Sequence, residues 1–264
     1  MIVRRKMTDY QFSPELDERL LGFVAQPGNF IADIGFVYAL HAFPVVAIAE
    51  PFVVPIEDKK LIPVFTTEKG LETFLKTIDE PVTFVNKPFL EVVNELVSQE
   101  FDAIAFNIQP SGSDSPNTIM LPREHLVTFI NRYTDVLNKL FSPENLAASF
   151  NERYYLLPAF ARTKADGEIA RIFATISKPD GESFVPAFTN IDSFSKWYNN
   201  PNFGQPFKEN EGLILTWQLK DIQNPPSGVN ELDDVLGIVI DPFDAVDYEN
   251  SIILWDELAN KTAE

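Results

Sequence analysis

The sequence predicts a mixed α/β protein of the α+β class, built from two tandem repeats of one unit (hairpin, helix, strand, helix, strand, strand), with additional N-terminal and linking helices. Two observations predict it. A motif is written twice: Leu61-Ile62-Pro63-Val64-Phe65-Thr66-Thr67 precedes Leu71, Phe74 and Leu75, and Phe184-Val185-Pro186-Ala187-Phe188-Thr189-Asn190 precedes Phe194, Trp197 and Tyr198, with no gap between the Pro and the last aromatic position. The correspondence then continues through Val93-Asn94-Glu95-Leu96 and Val229-Asn230-Glu231-Leu232, through Ala103-Ile104-Ala105-Phe106-Asn107 and Gly237-Ile238-Val239-Ile240-Asp241, and through 117–121 and 250–254. The first repeat with its flanking helices is assigned to 1–140 and the second to 141–264, each long enough to build a core without staples.

Taken in order, Ser13-Pro14-Glu15 reads as a helix start, because a serine hydroxyl accepts from free amides and proline is tolerated in the first turn. Ser142-Pro143-Glu144 repeats it. A second helix is expected over 29–43, and Pro44 then favours the extended chain of a strand over 45–49. The next strand is 61–66, matched by 184–189, which a strand over 170–177 precedes. Between those two, Lys178-Pro179-Asp180-Gly181 has the composition of a hairpin turn: proline presets φ, aspartate bonds locally and glycine accepts a left-handed backbone. Glu57-Asp58-Lys59-Lys60 is its looser counterpart. Leu71, Phe74, Leu75 and Ile78 then form one apolar helical stripe, as do Phe194, Trp197 and Tyr198. Strands are expected over 82–85 and 213–219, a short helix around each Val-Asn-Glu-Leu tetrad, and strands ending at Asn107 and Asp241. Residues 221–228, with Pro225-Pro226, read as an exposed insertion, and 123–140 as a long helix closing the first repeat.

Composition narrows the function classes. The chain has 264 residues, 21 basic against 39 acidic side chains, and a formal charge of −18. Such a field repels phosphate backbones and anionic membranes, so neither nucleic acid nor membrane is an expected partner. The segment 221–257 holds ten acids and no Lys or Arg. Its Asp233, Asp234, Asp244, Asp247 and Glu249 are the candidate interaction surface, suited to a basic partner through long-range steering. There is no cysteine, which removes disulfides and thiolate chemistry and fits a cytoplasmic location. The most apolar stretch, 30–52, is interrupted by Asp33, His41, Pro44 and Glu50, and reads as a buried helix and strand.

Candidate chemistry is thin. Thr66 and Thr189 recur where a strand hands over to a helix, and read as helix caps, with Asp192 completing a capping box for Thr189. His41 and His125 have no acid or nucleophile at motif spacing. Asp241, Asp244, Asp247 and Glu249 lack the spacing and glycine of a calcium loop. Ser111-Gly112-Ser113-Asp114-Ser115 lacks the Gly-Lys-Ser/Thr ending of a phosphate loop and reads as a hairpin tip. Trp197, Tyr198, Trp217 and Trp255 are assigned to packing. No catalytic residue, metal or cofactor is assigned.

The order of hairpin, Pro-x-Phe-Thr, helix and strand ending in Asn or Asp-Pro resembles the N-terminal domain of SseB-type (enhanced serine sensitivity) proteins. The resemblance rests on Pro63, Phe65, Thr66 and Asn107 over 45–126, and on Pro186, Phe188, Thr189, Asp241 and Pro242 over 170–258. It departs at Ile108-Gln109-Pro110, where the Asn-Pro pair is usual. It implies a small α/β domain and no established activity. The expected function is therefore a non-catalytic, soluble cytosolic binding or regulatory module engaging a protein partner or itself. The alternative is a hydrolase-type enzyme or small-ligand sensor with a site in a groove between the repeats.

Overall fold

The computed structural model describes residues 10–50, 54–56, 59–78, 82–109, 116–244 and 248–261. It shows an α+β protein that divides into two compact units, Met1–Asp135 and Val136–Glu264, with the boundary inside a helix.

Unit 1 runs α1 (Pro14–Ala25), α2 (Phe30–Ala42), β1 (Val45–Ile48), β2 (Val54–Ile56), β3 (Lys59–Phe65), α3 (Glu68–Leu75), β4 (Phe84–Lys87), α4 (Phe89–Ser98), β5 (Ala103–Phe106) and β6 (Ile119–Pro122), then enters α5 (Arg123–Phe141). Local chemistry sets several ends. Ser13 accepts from the Leu16 amide at the start of α1, and Asn29 accepts from Ile31 and Ala32 at the start of α2. The strand order is β4-β1-β3-β5-β6, with β2 paired to β3. β3 and β5 run parallel and the other pairs antiparallel. Both faces are covered. On one, Phe65 packs against Phe74 of α3 and Phe84; on the other, Phe106 meets Phe36 of α2 and Phe89 of α4. All six rings are nearly excluded from water, and burying each stabilises the fold by roughly 1.5–3 kcal/mol.

Unit 2 continues with α6 (Pro143–Ala147), β7 (Tyr154–Thr163), β8 (Ile169–Phe173), β9 (Ile176–Ser177), β10 (Ser183–Ala187), α7 (Ile191–Tyr198), α8 (Gly204–Glu209), β11 (Leu213–Gln218), α9 (Lys220–Gln223), β12 (Val229–Glu231), β13 (Val235–Ile240), β14 (Ile252–Leu254) and α10 (Trp255–Lys261). A 3-10 turn, Tyr248–Ser251, precedes β14. Two four-stranded sheets, β14-β13-β10-β9 and β11-β7-β8-β12, meet at a bridge between Leu156 and Phe188. Through that bridge the path β11-β7-β10-β13-β14 has the strand order and senses of β4-β1-β3-β5-β6. The register agrees as well: Val46 pairs with Phe65 as Leu156 does with Phe188, Leu61 with Ala103 as Phe184 does with Gly237, and Ile104 with Leu121 as Ile238 does with Ile253.

Several expectations need correction. The strand matching β1 is β7, upstream of residue 170, and the expected strand over 170–177 is two short strands, β8 and β9, in different sheets. The tetrad Val93-Asn94-Glu95-Leu96 lies in α4, but Val229-Asn230-Glu231 is strand β12, paired in parallel with β8. The stretch 221–228 is not wholly an exposed loop, since α9 buries Ile222 completely. The expected tip at 111–115 and the start of the 57–60 turn lie outside the described residues. The turn at Lys178-Pro179-Asp180-Gly181 has a twin at Lys164-Ala165-Asp166-Gly167. In both, the glycine amide donates to the lysine carbonyl, and the following glutamate amide donates to the aspartate carboxylate. Both glycines have the positive φ the tip requires, 85° at Gly167 and 94° at Gly181.

Candidate functional site

Two places gather polar side chains: the carboxyl ends of the parallel strand pairs, and the opposite end of the β13–β14 pair. At the first, β3 and β5 of unit 1 end at Thr66 and Asn107. Asn107 is fully buried and left-handed, with φ 45°, a conformation asparagine tolerates better than most residues. Its Oδ1 accepts from the Thr66 amide at 2.9 Å, and its Nδ2 donates to Thr66 Oγ1 at 2.7 Å and to the Asn117 carbonyl at 3.2 Å. The Thr66 hydroxyl then donates to Asp17 Oδ1 of α1 at 2.6 Å, and Asn117 Nδ2 donates to the same oxygen at 2.7 Å.

In unit 2 the corresponding strands end at Thr189 and Asp241. Asp241 is left-handed too, with φ 43°. Its carboxylate accepts both the Thr189 amide, at 2.9 Å, and the Thr189 hydroxyl, at 2.5 Å, while Asn190 Nδ2 donates to Thr189 Oγ1 at 3.0 Å. Beside it, Ser193 Oγ and Lys196 Nζ of α7 both donate to Asp244. Burial raises the Asp241 pKa above the ordinary aspartate value against the two Thr189 bonds, and the Asp244 charge adds to the rise. The Lys196 bond, followed by that of Ser193, lowers the pKa of Asp244. Tyr155 is pushed up to about 12, chiefly by burial.

Thr66 and Thr189 are therefore not the helix caps expected of them. The caps are the next residues: Thr67 accepts from the Gly70 amide and Asn190 from the Ser193 amide. Thr66 and Thr189 close the strand-end clusters instead.

The second place contains part of the expected acidic surface. Asp233 and Asp234 stand exposed in the turn before β13, Asp234 with φ 62°. The antiparallel pairing of Gly237 with Leu254 brings the start of β13 to the end of β14, and Trp255 Nε1 donates to the Val235 carbonyl at 2.7 Å. Asp256 and Glu257, both exposed, follow at once. Leu236 and Leu254 are 43% and 42% exposed among these acids. Asp244 does not join them: it lies beyond the other end of the six-residue β13, about 20 Å away along the strand. Glu249 is exposed and within electrostatic reach of Lys178. Asp247 lies outside the described residues. Asp256 and Glu257 belong to the acidic segment 221–257 but, like the two leucines, are not singled out by composition, because only strand pairing makes them neighbours of Asp233.

The remaining candidates lie outside these two places. Trp197 and Tyr198 are buried among Phe188, Phe194 and Phe207. Trp217 lies under the Arg171 guanidinium. His41 bonds Thr134, and His125 is exposed beside Glu124. Glu231 pairs with Arg162 at 2.7 Å. Among the described residues no helix is long and apolar enough to cross a membrane.

No protein-family model matches the chain, and no curated protein does. Among solved structures, Tic22 from Plasmodium falciparum is similar at 10% identity over 86% of this chain and 94% of its own, with a TM-score of 0.19. Anabaena Tic22, described as a protein of protein transport, is similar at 12% identity over 79% and 92%, with a TM-score of 0.21. At these TM-scores neither likeness supports a statement about this chain.

Proposed function

We propose that the protein is a non-catalytic binding module that engages a basic protein partner through the start of β13, the end of β14 and the first turn of α10. One observation carries this reading. Four exposed carboxylates, of Asp233, Asp234, Asp256 and Glu257, flank exposed Leu236 and Leu254, in a segment without Lys or Arg from 221 to 260. Exposed apolar side chains rimmed by charge of one sign suit a partner with the opposite charge, because the leucines supply desolvation and the acids supply steering and register. We propose further that both units descend from one duplicated, SseB-like unit. The shared strand order and the paired Thr66–Asn107 and Thr189–Asp241 junctions support this. The cysteine-free composition and the formal charge of −18 support a cytoplasmic setting away from nucleic acid and anionic membranes.

The test is quantitative affinity capture with the wild-type chain and with a variant carrying Asp233→Asn, Asp234→Asn, Asp256→Asn and Glu257→Gln. A set of basic proteins held by the wild type and depleted about tenfold or more by the variant is expected, with association slowing at high salt. Capture of one and the same set by both proteins overturns the assignment of the surface. Robust turnover on hydrolase or transferase substrate panels, lost on replacing a single carboxylate in a folded chain, overturns the non-catalytic reading.

A further inference from the structure

A second feature, independent of the acidic surface, is the free edge of β11, whose outward backbone groups follow from the strands beside it. In β7, Leu156 exchanges both backbone bonds with Phe188, so it faces away from β11. Alternation along the strand then turns Tyr155, Leu157 and Ala159 toward β11, where they pair with Trp217, Leu215 and Leu213. Ile214 and Thr216 therefore point their N–H and C=O groups out of the sheet. The Gln218 amide points the same way and is closed by Asp221 Oδ2 at 3.1 Å. No described residue bonds the outer backbone of Ile214 or Thr216. Every residue of β11 is half-buried, so the edge is open to solvent.

The other sheet edges among the described residues are short or defended. β4 holds the corresponding place in unit 1, with Asn86 in the register of Thr216. There the Asn86 side chain accepts from the Gln11 amide at 3.0 Å and donates to the Gln11 carbonyl at 2.7 Å, so a chain segment lies against the strand. β6 ends in Pro122, and β2, β9, β12 and β14 have only two or three residues. β11 has six residues, Leu-Ile-Leu-Thr-Trp-Gln, with no charge, Pro or Gly, and pairs with β7 without a bulge. A long apolar edge without these devices is a template for another strand.

We propose that this edge is a dimerisation surface, occupied by β11 of a second copy paired antiparallel about a two-fold axis through Leu215. Self-matching selects that occupant. Leu213, Leu215 and Trp217 face the core of unit 2, and a joined sheet must keep them on one face. The register centred on Leu215 does so and sets Ile214 of each copy against Thr216 of the other, so the free outward groups satisfy one another. Centring on Ile214 would instead set Thr216 against Gly212, whose amide is held by Phe207. Centring on Thr216 would set Ile214 against Gln218, whose amide is held by Asp221. In the chosen register Leu213 meets Trp217 and Leu215 meets its own counterpart. The end carrying exposed Glu211 comes beside the end carrying exposed Lys220, opposite in charge. Nearby Lys208 lies over the Tyr198 ring. The contact is isologous and closes on itself, joining two four-stranded sheets into one.

The experiment uses the full chain. Sedimentation between about 1 µM and about 300 µM should show a monomer–dimer equilibrium. Thr216→Pro removes an outward N–H and leaves the ladder to β7 intact, so it should weaken the dimer by roughly tenfold or more. The chain has no cysteine of its own. Under mild oxidation Leu215→Cys should therefore form a covalent dimer, because that residue faces its counterpart. Ile214→Cys should not, because its two copies lie two residues out of line. A chain that stays monomeric throughout, a folded Thr216→Pro variant that dimerises as tightly as wild type, or Ile214→Cys cross-linking as readily as Leu215→Cys overturns the proposal. If circular dichroism shows that Thr216→Pro does not fold, the two cysteine variants decide the question alone.

Discussion

At the end of β5 the chain turns on Asn107, and at the end of β13 it turns on Asp241. Both residues are left-handed and both accept the amide of a threonine that ends the neighbouring parallel strand. What differs is where the charge comes from. In unit 1 the residue at the turn is neutral, and the threonine hydroxyl donates to a carboxylate from a distant helix, Asp17 of α1. In unit 2 the carboxylate stands at the turn itself and takes both the amide and the hydroxyl. The donor to the threonine oxygen moves in the opposite direction, from Asn107 to the adjacent Asn190. Each threonine hydroxyl thus meets one carboxylate acceptor and one side-chain amide donor, exchanged between positions. A cluster of this kind is specified as a sum, so neither residue can be judged alone.

The largest expected effect comes from breaking that sum. Asn107→Asp places a second carboxylate beside Asp17 in a fully buried site and removes the donors to Thr66 and Asn117. It should destabilise unit 1 by about 3 kcal/mol. All three tryptophans, Trp197, Trp217 and Trp255, lie in unit 2. Hydrogen exchange of α3 and β5 amides should therefore report the loss while tryptophan fluorescence of unit 2 stays unchanged. Asp17→Ala should come next, at about 2 kcal/mol, because the buried Thr66 hydroxyl and the Asn117 amide both lose their bond to the Asp17 carboxylate. Rescue of Asp17→Ala by Asn107→Asp, which would rebuild the unit 2 arrangement in unit 1, is the sharpest form of the comparison. A double variant no better than the sum of its parts would contradict the exchange.

Gly70 and Ser193 occupy the same position after their caps. A β-carbon at Gly70 would come within 2.9 Å of Asn107 Oδ1, whereas the Ser193 hydroxyl donates to Asp244. Gly70→Ser should therefore cost about 1.5 kcal/mol in denaturant unfolding. The smallest effect is expected from Asp241→Asn, about 1 kcal/mol near neutral pH. Because the folded pKa of Asp241 is raised, the wild type gains stability as pH falls through that value and the amide does not. The cost of Asp241→Asn should therefore grow toward acid pH, and a cost that shrinks would put the Asp241 shift in the wrong direction.

Much of the fold was legible because turn chemistry and alternation are local. Pro179-Asp180-Gly181 marked its hairpin, and the strands ending at Asn107 and Asp241 were marked by apolar runs stopped by a turn-forming residue. The helix caps were misplaced by one residue because Thr66-Thr67 and Thr189-Asn190 each offer two adjacent candidates, and only the tertiary cluster decides which faces inward. The second Val-Asn-Glu-Leu tetrad became a strand because Pro225-Pro226 delivers it extended to the open edge of β8, so context overrode the likeness. β7 went unrecognised behind Pro158, which sits in the middle of an otherwise strand-like run. Asp17 was illegible in principle: it lies 49 residues from Thr66 and 100 from Asn117, with no periodicity linking them. The apposition of Asp233 with Asp256 depends on antiparallel pairing that local composition does not encode.

The twin tips at Asp166-Gly167 and Asp180-Gly181 bear on how this protein ages. Among aspartyl sequences, one followed by glycine closes most readily into a succinimide that reopens as isoaspartate, a reaction in which the glycine nitrogen attacks the aspartate side chain. In both tips that nitrogen is engaged with a lysine carbonyl, and the carboxylate is held by the glutamate amide on the other side. The folded hairpins thereby restrain both reactants at once. Isoaspartate at these two sites is therefore expected to form faster in chains whose unit 2 is unfolded than in chains that keep it folded.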